Sequence, residues 1–296
     1  MEDETVLVRV RLRGVPPPGR TPPDSGVPVD PVELAATALW AEGATAVEVR
    51  DDPDGTTLLA GFPTPEAARS VAGRLGGSLD ATAEAVTDTG WRDAWKAWVQ
   101  PVPVGEGLMV VPAWRTVTVE SGRISLEIDP GPCFGSGTHP STRMLLAWLD
   151  RHRPAGADVL DVGTGSGILA VAAAVLGARS VTAVDIDPAA VSVTEANAAR
   201  NGVQSKIAAS TTPVAEVPDA SADLVMVNVT AATHAAIAAA CSRKVRAGGT
   251  LLVAGLLPGQ WQHVAGAYTG LTGAPRLELD GREGAVLRPD DAADRR

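Results

Sequence analysis

Residues 158–177 read DVLDVGTGSGILAVAAAVLG, and their reading decides the fold. DVLDV is a short apolar run, as expected of a buried strand. Gly163, Gly165 and Gly167 then alternate with Thr164 and Ser166, and ILAVAAAVLG continues as a helix. Glycines between a strand and a helix permit a tight turn and close approach of backbone N–H groups to a ligand.

Downstream, the same alternation repeats. SVTAVDID reads as a strand, and PAAVSVTEANAARNG as a helix with Asp187 as N-cap, Pro188 at its first position and Gly202 near its end. DLVMVNV is a strand, AATHAAIAAACSRKVRAGG a helix and TLLVAGL a strand. Alternating strands and helices imply a doubly wound, Rossmann-like α/β sheet, with ligands at the carboxyl ends of its strands.

Upstream, MLLAWLD reads as helical, and DPGPCFGSGTHPST, residues 129–142, as a loop. GLMVVPAW and RISLEIDP read as strands. TDTGWRDAWKAWVQP places Trp91, Trp95 and Trp98 on one face of a short helix, expected to pack a domain junction, with a substrate platform as the alternative. Residues 1–86 follow the order βαββαβ around a Pro-rich loop at 16–28, implying a small ferredoxin-like α+β domain. The expected organisation is therefore a domain over 1–86, a Trp-rich connection over 87–114, an α/β domain over 115–288 and a charged tail over 289–296.

Composition excludes several classes. The 296-residue chain carries a formal net charge of −10, which disfavours free nucleic acid as a partner. Two distant cysteines, Cys133 and Cys241, form neither a CxxC nor a disulfide framework, so a cytoplasmic setting is expected. MEDETVLVRV lacks the basic start and apolar core of a signal peptide, and the longest apolar run is far too short for a membrane span. No metal site is expected.

The strand ends carry the chemistry. Asp185 ends the second strand of the sheet, 22 residues past Gly163, where an acidic side chain accepts hydrogen bonds from ribose hydroxyls. A nicotinamide dinucleotide fingerprint is GxGxxG; here the spacing is GxGxG, and Asp161 stands beside it. A carboxylate there opposes a pyrophosphate and suits a ligand bearing ammonium and sulfonium groups, namely S-adenosylmethionine. Asn228, ending DLVMVNV, is placed to orient the methionine part or the incoming nucleophile.

Four longer motifs resemble the ribosomal protein L11 methyltransferase (PrmA) family. Asp129 to Thr142 is similar to its DPGxAFGxGxHxTT, and Asp161 to Ala173 to its DxGxGSGILAIAA. Asp185 to Val203 is similar to DIDPxAxxxxxxNAxxNGV, and Gly90 to Trp114 to GWxxxWKxxxxPxxVGxxLxxxPxW. The resemblance implies a class I methyltransferase that transfers methyl groups from S-adenosylmethionine to lysine and α-amino groups of ribosomal protein L11. It implies an N-terminal domain that recognises that protein. By matched positions it implies that Thr142, Gly163, Asp185 and Asn228 contact the cofactor, with Asp161 and Gly165 in the same turn. Phe134, Gly137, Thr138 and His139 are then loop residues beside it, His139 shaping the loop rather than acting as a base.

Three departures fall on the substrate side. The family's NILAxxL becomes Asn228-Val229-Thr230-Ala231-Ala232-Thr233-His234, so Thr230 replaces a Leu; His234 is expected on the solvent face of its helix. Ala285 stands where a Trp is common, and the N-terminal domain is Pro-rich. The alternative acceptor is therefore another protein or a small-molecule amine.

Overall fold

The computed structural model describes residues 6–11, 35, 39, 46–52, 55–62, 65–75, 80–85, 99–272 and 276–289. The readings made for Trp91, Trp95 and Trp98, for the Pro-rich segment, for most of the first helix of the βαββαβ order and for the end of the tail lie outside those residues. The chain divides into two compact units, Met1–Trp98 and Val99–Arg296.

In the first unit, β1 (Val6–Arg11), β2 (Ala46–Asp52), β3 (Gly55–Phe62) and β4 (Asp80–Ala85) form one antiparallel sheet in the order β2-β3-β1-β4. Ala35 and Leu39, helical and buried one turn apart, lie between β1 and β2, and α1 (Pro65–Leu75) lies between β3 and β4. This is the split βαβ arrangement expected of a ferredoxin-like domain.

The second unit opens with a small sheet of β5 (Val102–Val104), β6 (Leu108–Pro112) and β7 (Ile124–Ile128), in which β6 and β7 run parallel. Helix α2 (Pro140–His152) follows. It begins inside the stretch expected to be loop, because the His139 ring caps its first turn and Pro140 fits the φ of its first position.

The main sheet holds β8 (Asp158–Val162), β9 (Ser180–Val184), β10 (Ile207–Ser210), β11 (Ala222–Asn228), β12 (Val245–Leu256), β13 (Leu271–Thr272), β14 (Arg276–Leu279) and β15 (Arg282–Pro289). Its order is β10-β9-β8-β11-β12-β15-β13, with β14 paired to β15. The first five are parallel and β15 is antiparallel to β12. The order reverses between β8 and β11, so their carboxyl ends flank the crevice where ligands bind in open α/β sheets.

The parallel strands are buried on both faces. Val159, Val181, Ala183, Leu224, Met226 and Leu252 join one core with α2, α3 (Ile168–Val175) and α4 (Pro188–Arg200). Leu160, Val162, Val184, Val225, Val227 and Val253 join the other with α5 (Ala231–Lys244) and α6 (Trp261–Val264). The helix read over 231–249 stops at Lys244, and Val245 to Gly249 belong to β12. Arg246 explains the change: its guanidinium bonds Asp223 and the Ser221 carbonyl, drawing the segment alongside β11.

Among the described residues, no helix is long and apolar enough to cross a membrane. Among them, no cluster of His, Cys, Asp and Glu could hold a metal ion.

Candidate active site

The turn after β8 is built on left-handed backbone, with φ of 72° at Gly163, 54° at Gly165 and 77° at Gly167. Two neighbours press on it. A Cβ on Gly163 would stand 2.7 Å from Val229 Cγ1, and one on Gly165 would stand 2.7 Å from the Phe134 carbonyl oxygen. Gly163 and Thr164 donate their amides to the Val184 carbonyl at 2.8 and 3.2 Å, which ties the turn to the end of β9.

The 129–139 loop closes over this turn. The Ser166 amide donates to the Phe134 carbonyl at 2.9 Å, and the buried Ser166 hydroxyl donates to the Gly135 carbonyl at 2.7 Å. Gly137, at φ 86°, presses against Val110, where a Cβ would come within 2.7 Å of Cγ1. Ser136 and Thr138 share a hydroxyl hydrogen bond at 2.9 Å at the loop's exposed edge. Phe134 is 53% exposed and meets His139 edge-on, ring centroids 5.2 Å apart.

Two carboxylates face the turn from different sides. Asp185 accepts the Gly165 amide through Oδ2 at 3.0 Å and the Asp187 amide through Oδ1 at 3.1 Å. Asp161 is buried. Its Oδ2 accepts the Thr164 hydroxyl at 2.8 Å. Its Oδ1 is buried without a hydrogen-bond partner. Burial raises the Asp161 pKa to about 7, with the Asp185 charge adding to the rise and the Thr164 hydroxyl and Ala170 amide opposing it. A buried unpaired carboxylate oxygen is costly unless something donates to it. It lies beside a turn that admits no side chain at Gly163 or Gly165.

Across the crevice, Asn228 Nδ2 donates to the buried Thr142 Oγ1 at 3.3 Å, joining the end of β11 to the first turn of α2. His139 Nδ1 accepts the Ser141 amide at 3.2 Å, which places its proton on Nε2. Burial, then the Arg282 charge, lowers its pKa to about 4, so it is neutral near pH 7. With its one lone pair committed to the cap, it shapes the loop and is not set up as a base.

The ten residues singled out from sequence thus gather around one crevice: Asp161, Gly163, Gly165 and Asp185 on the turn side, Thr142 and Asn228 across it, and Phe134, Gly137, Thr138 and His139 on the loop. One substrate-side reading changes, and two departures from the family pattern gain a structural setting. His234 is buried rather than solvent-facing; Nδ1 accepts the Tyr268 hydroxyl at 2.5 Å and Nε2 donates to the Ala254 carbonyl at 2.8 Å. Thr230 caps α5 by accepting the Thr233 amide at 3.4 Å. Ala285 lies in the core, paired with Val253 and Arg276, so its size acts on packing.

Cys133 is a half-buried thiol whose pKa is pushed up to about 11 by burial, then by Asp187 and Asp185. Sequence reasoning gave no role to Ser166 or Asn197, whose partners lie 31 and 68 residues away. Nothing local marks such partners; the only signal was their place inside two quoted motifs. A separate groove of about 420 Å³ lies along Leu160, Thr182, Ser210 and Val217. It includes neither the glycine turn nor Asp185 nor Asn228.

Known proteins share this architecture. The family model described as ribosomal protein L11 methyltransferase (PrmA) matches residues 57–274. A ribosomal protein L11 methyltransferase of Azotobacter vinelandii is 37% identical over 258 residues, covering 86% of this chain and 84% of its own. One from Symbiobacterium thermophilum is 40% identical over 184 residues, covering 62% of this chain and 60% of its own. The crystal structure of a ribosomal protein L11 methylase from Lactobacillus delbrueckii subsp. bulgaricus aligns at a TM-score of 0.60 and 27% identity, over 66% of this chain and all of that one.

Proposed function

The chain belongs to the ribosomal protein L11 methyltransferase family, and from that premise we propose that it transfers methyl groups from S-adenosylmethionine to lysine and α-amino nitrogens of ribosomal protein L11. It is an S-adenosylmethionine-dependent methyltransferase of class I fold. The observation that carries the site assignment is the unpaired buried oxygen of Asp161 beside a glycine turn.

S-adenosylmethionine supplies an electrophilic methyl group on a sulfonium and also carries an ammonium and a ribose. Asp161 Oδ1 suits the ammonium. Asp185, already oriented by two amides, suits the ribose hydroxyls. The 129–139 loop, held on the glycine turn through Ser166, covers the same crevice in this reading. In this reading Thr142 contacts the cofactor, and Asn228, bonded to it, orients the acceptor nitrogen.

Methyl transfer to an amine is an in-line displacement, governed by placement of a neutral nitrogen near the methyl carbon. A free lysine has a pKa of about 10.4. Desolvation beside a sulfonium lowers it, so no dedicated base is required. The N-terminal unit serves acceptor recognition in this reading, in a cytoplasmic setting without nucleic acid or membrane as direct partner.

Asn228→Ala is expected to lower kcat about 10- to 100-fold while changing cofactor Kd less than about threefold, the behaviour of a group that orients the nucleophile. Steady-state kinetics with calorimetry separates the two; unchanged kcat would remove Asn228 from the reaction. The acceptor is tested by intact-mass spectrometry of L11 from the same source after incubation with enzyme and S-adenosylmethionine. Mass gains in methyl steps support L11. No gain, with cofactor still bound, moves the acceptor to another protein or a small-molecule amine.

A further inference from the structure

Asn197, on α4, and Asn201, its C-cap one turn on, face the backbone that leads from β7 into the 129–139 loop. Asn201 Oδ1 accepts the Glu127 amide at 2.9 Å and its Nδ2 donates to the Glu127 carbonyl at 2.7 Å. Asn197 repeats the pattern two residues on, accepting the Asp129 amide at 3.0 Å and donating to the Asp129 carbonyl at 2.9 Å. Paired N–H and C=O groups on alternate residues are what an antiparallel neighbour strand would satisfy. The two carboxamides therefore take the place of a missing strand along the free edge of β7, and α4 supplies them.

Asn197 does more than its neighbour. Its second N–H donates to the Ser166 carbonyl at 2.8 Å, inside the glycine turn, and Arg200 donates to its Oδ1 at 2.8 Å. All four hydrogen-bonding positions of a carboxamide are filled. The opposite amide orientation would set donors against donors, so the network allows one orientation. Asn197 is fully buried. Its helix starts at Asp187, two residues past Asp185. One side chain thus joins the loop stem, the glycine turn and the helix that follows the ribose carboxylate.

We propose that Asn197 is a positioning residue for the cofactor: through one carboxamide it sets the stem of the 129–139 loop against the glycine turn, so that loop closure and cofactor occupancy are coupled, with Asn201 as a second rung holding the stem alone. The proposal rests on the strand-end turn being the S-adenosylmethionine site. Binding of S-adenosylhomocysteine to the wild-type protein is therefore measured first by calorimetry. Absence of binding there sinks the site reading itself.

Given wild-type binding, Asn197→Ala is expected to raise the Kd for S-adenosylhomocysteine and the KM for S-adenosylmethionine at least about tenfold. kcat at saturating cofactor should stay within about threefold, because bound cofactor restores the loop. Asn201→Ala should move Kd less than about threefold. Hydrogen exchange supplies the readout that mere loss of stability would not move: ligand should slow exchange of amides 129–139 in the wild type and in Asn201→Ala, and much less in Asn197→Ala. If Asn197→Ala does not fold, Asn197→Ser, which brings no buried charge against the Asp129 and Ser166 carbonyls, carries the same comparison. Equal Kd in wild type and variant, or equal loop protection by ligand, overturns the proposal, as does an equal Kd loss in Asn201→Ala.

Discussion

Asp185→Ala is expected to weaken S-adenosylmethionine binding by about 10²–10⁴-fold while leaving the protein folded. The carboxylate is half-buried, and its two oxygens are aimed by the Gly165 and Asp187 amides, so it meets a ribose already oriented. A hydrogen bond to a charged group contributes about 1.5–3 kcal/mol, and two ribose hydroxyls give about 3–6 kcal/mol. Loss of the carboxylate also frees the Gly165 amide and loosens the turn itself. Calorimetric titration of the variant checks this, with thermal unfolding as the control. A Kd within about threefold of the wild type would mean that Asp185 does not hold the ligand.

Gly165→Ala is expected to cost about 2–5 kcal/mol of stability. Its φ of 54° lies in the left-handed region, where a residue with a Cβ loses about 1–2 kcal/mol. The added Cβ would stand 2.7 Å from the Phe134 carbonyl oxygen, which is backbone and holds the Ser166 amide. Relief requires the loop to lift off the turn, and overpacking of this kind costs about 1–3 kcal/mol. Urea denaturation of wild type and variant measures the difference. A loss below about 1 kcal/mol would show that the loop and turn are not pressed together as described.

The sheet and its crevice were legible because their causes are local. Gly163, Gly165 and Gly167 are demanded by positive φ, Asp187 and Pro188 start α4 as a cap and first residue do, and the parallel strands are continuous apolar runs. What was not legible depends on distant partners. Asn197 bonds residues 31 and 68 positions away, and no periodicity records that. His234 lies on a helix so rich in Ala that neither face reads as buried; Tyr268 and the Ala254 carbonyl, both far along the chain, draw it inward. The end of α5 at Lys244 is likewise set from outside, by Arg246 reaching Asp223 and by Lys244 itself. Its ammonium is buried and donates to the Val217 and Ala215 carbonyls and to Asp219, a role that a basic residue at a helix end does not announce. The antiparallel β15 enters between β12 and β13 through the hairpin with β14, a choice of edge that alternation alone does not make.

The most direct test is the pH dependence of S-adenosylhomocysteine binding, titrated by calorimetry from pH 6 to 8 in wild type and Asp161→Asn. Without ligand, burial holds the Asp161 carboxyl near 7, so it is largely protonated at pH 6. An ammonium against Oδ1 favours the ionised form, so binding expels that proton. Affinity should then tighten by up to about tenfold per pH unit below 7 and level off above it. Buffers of different ionisation enthalpy should reveal the released proton, and Asp161→Asn should bind more weakly with that slope removed. Tight binding with the same pH dependence in both proteins, or no binding to the wild type, would contradict Asp161 as the cofactor's ammonium site.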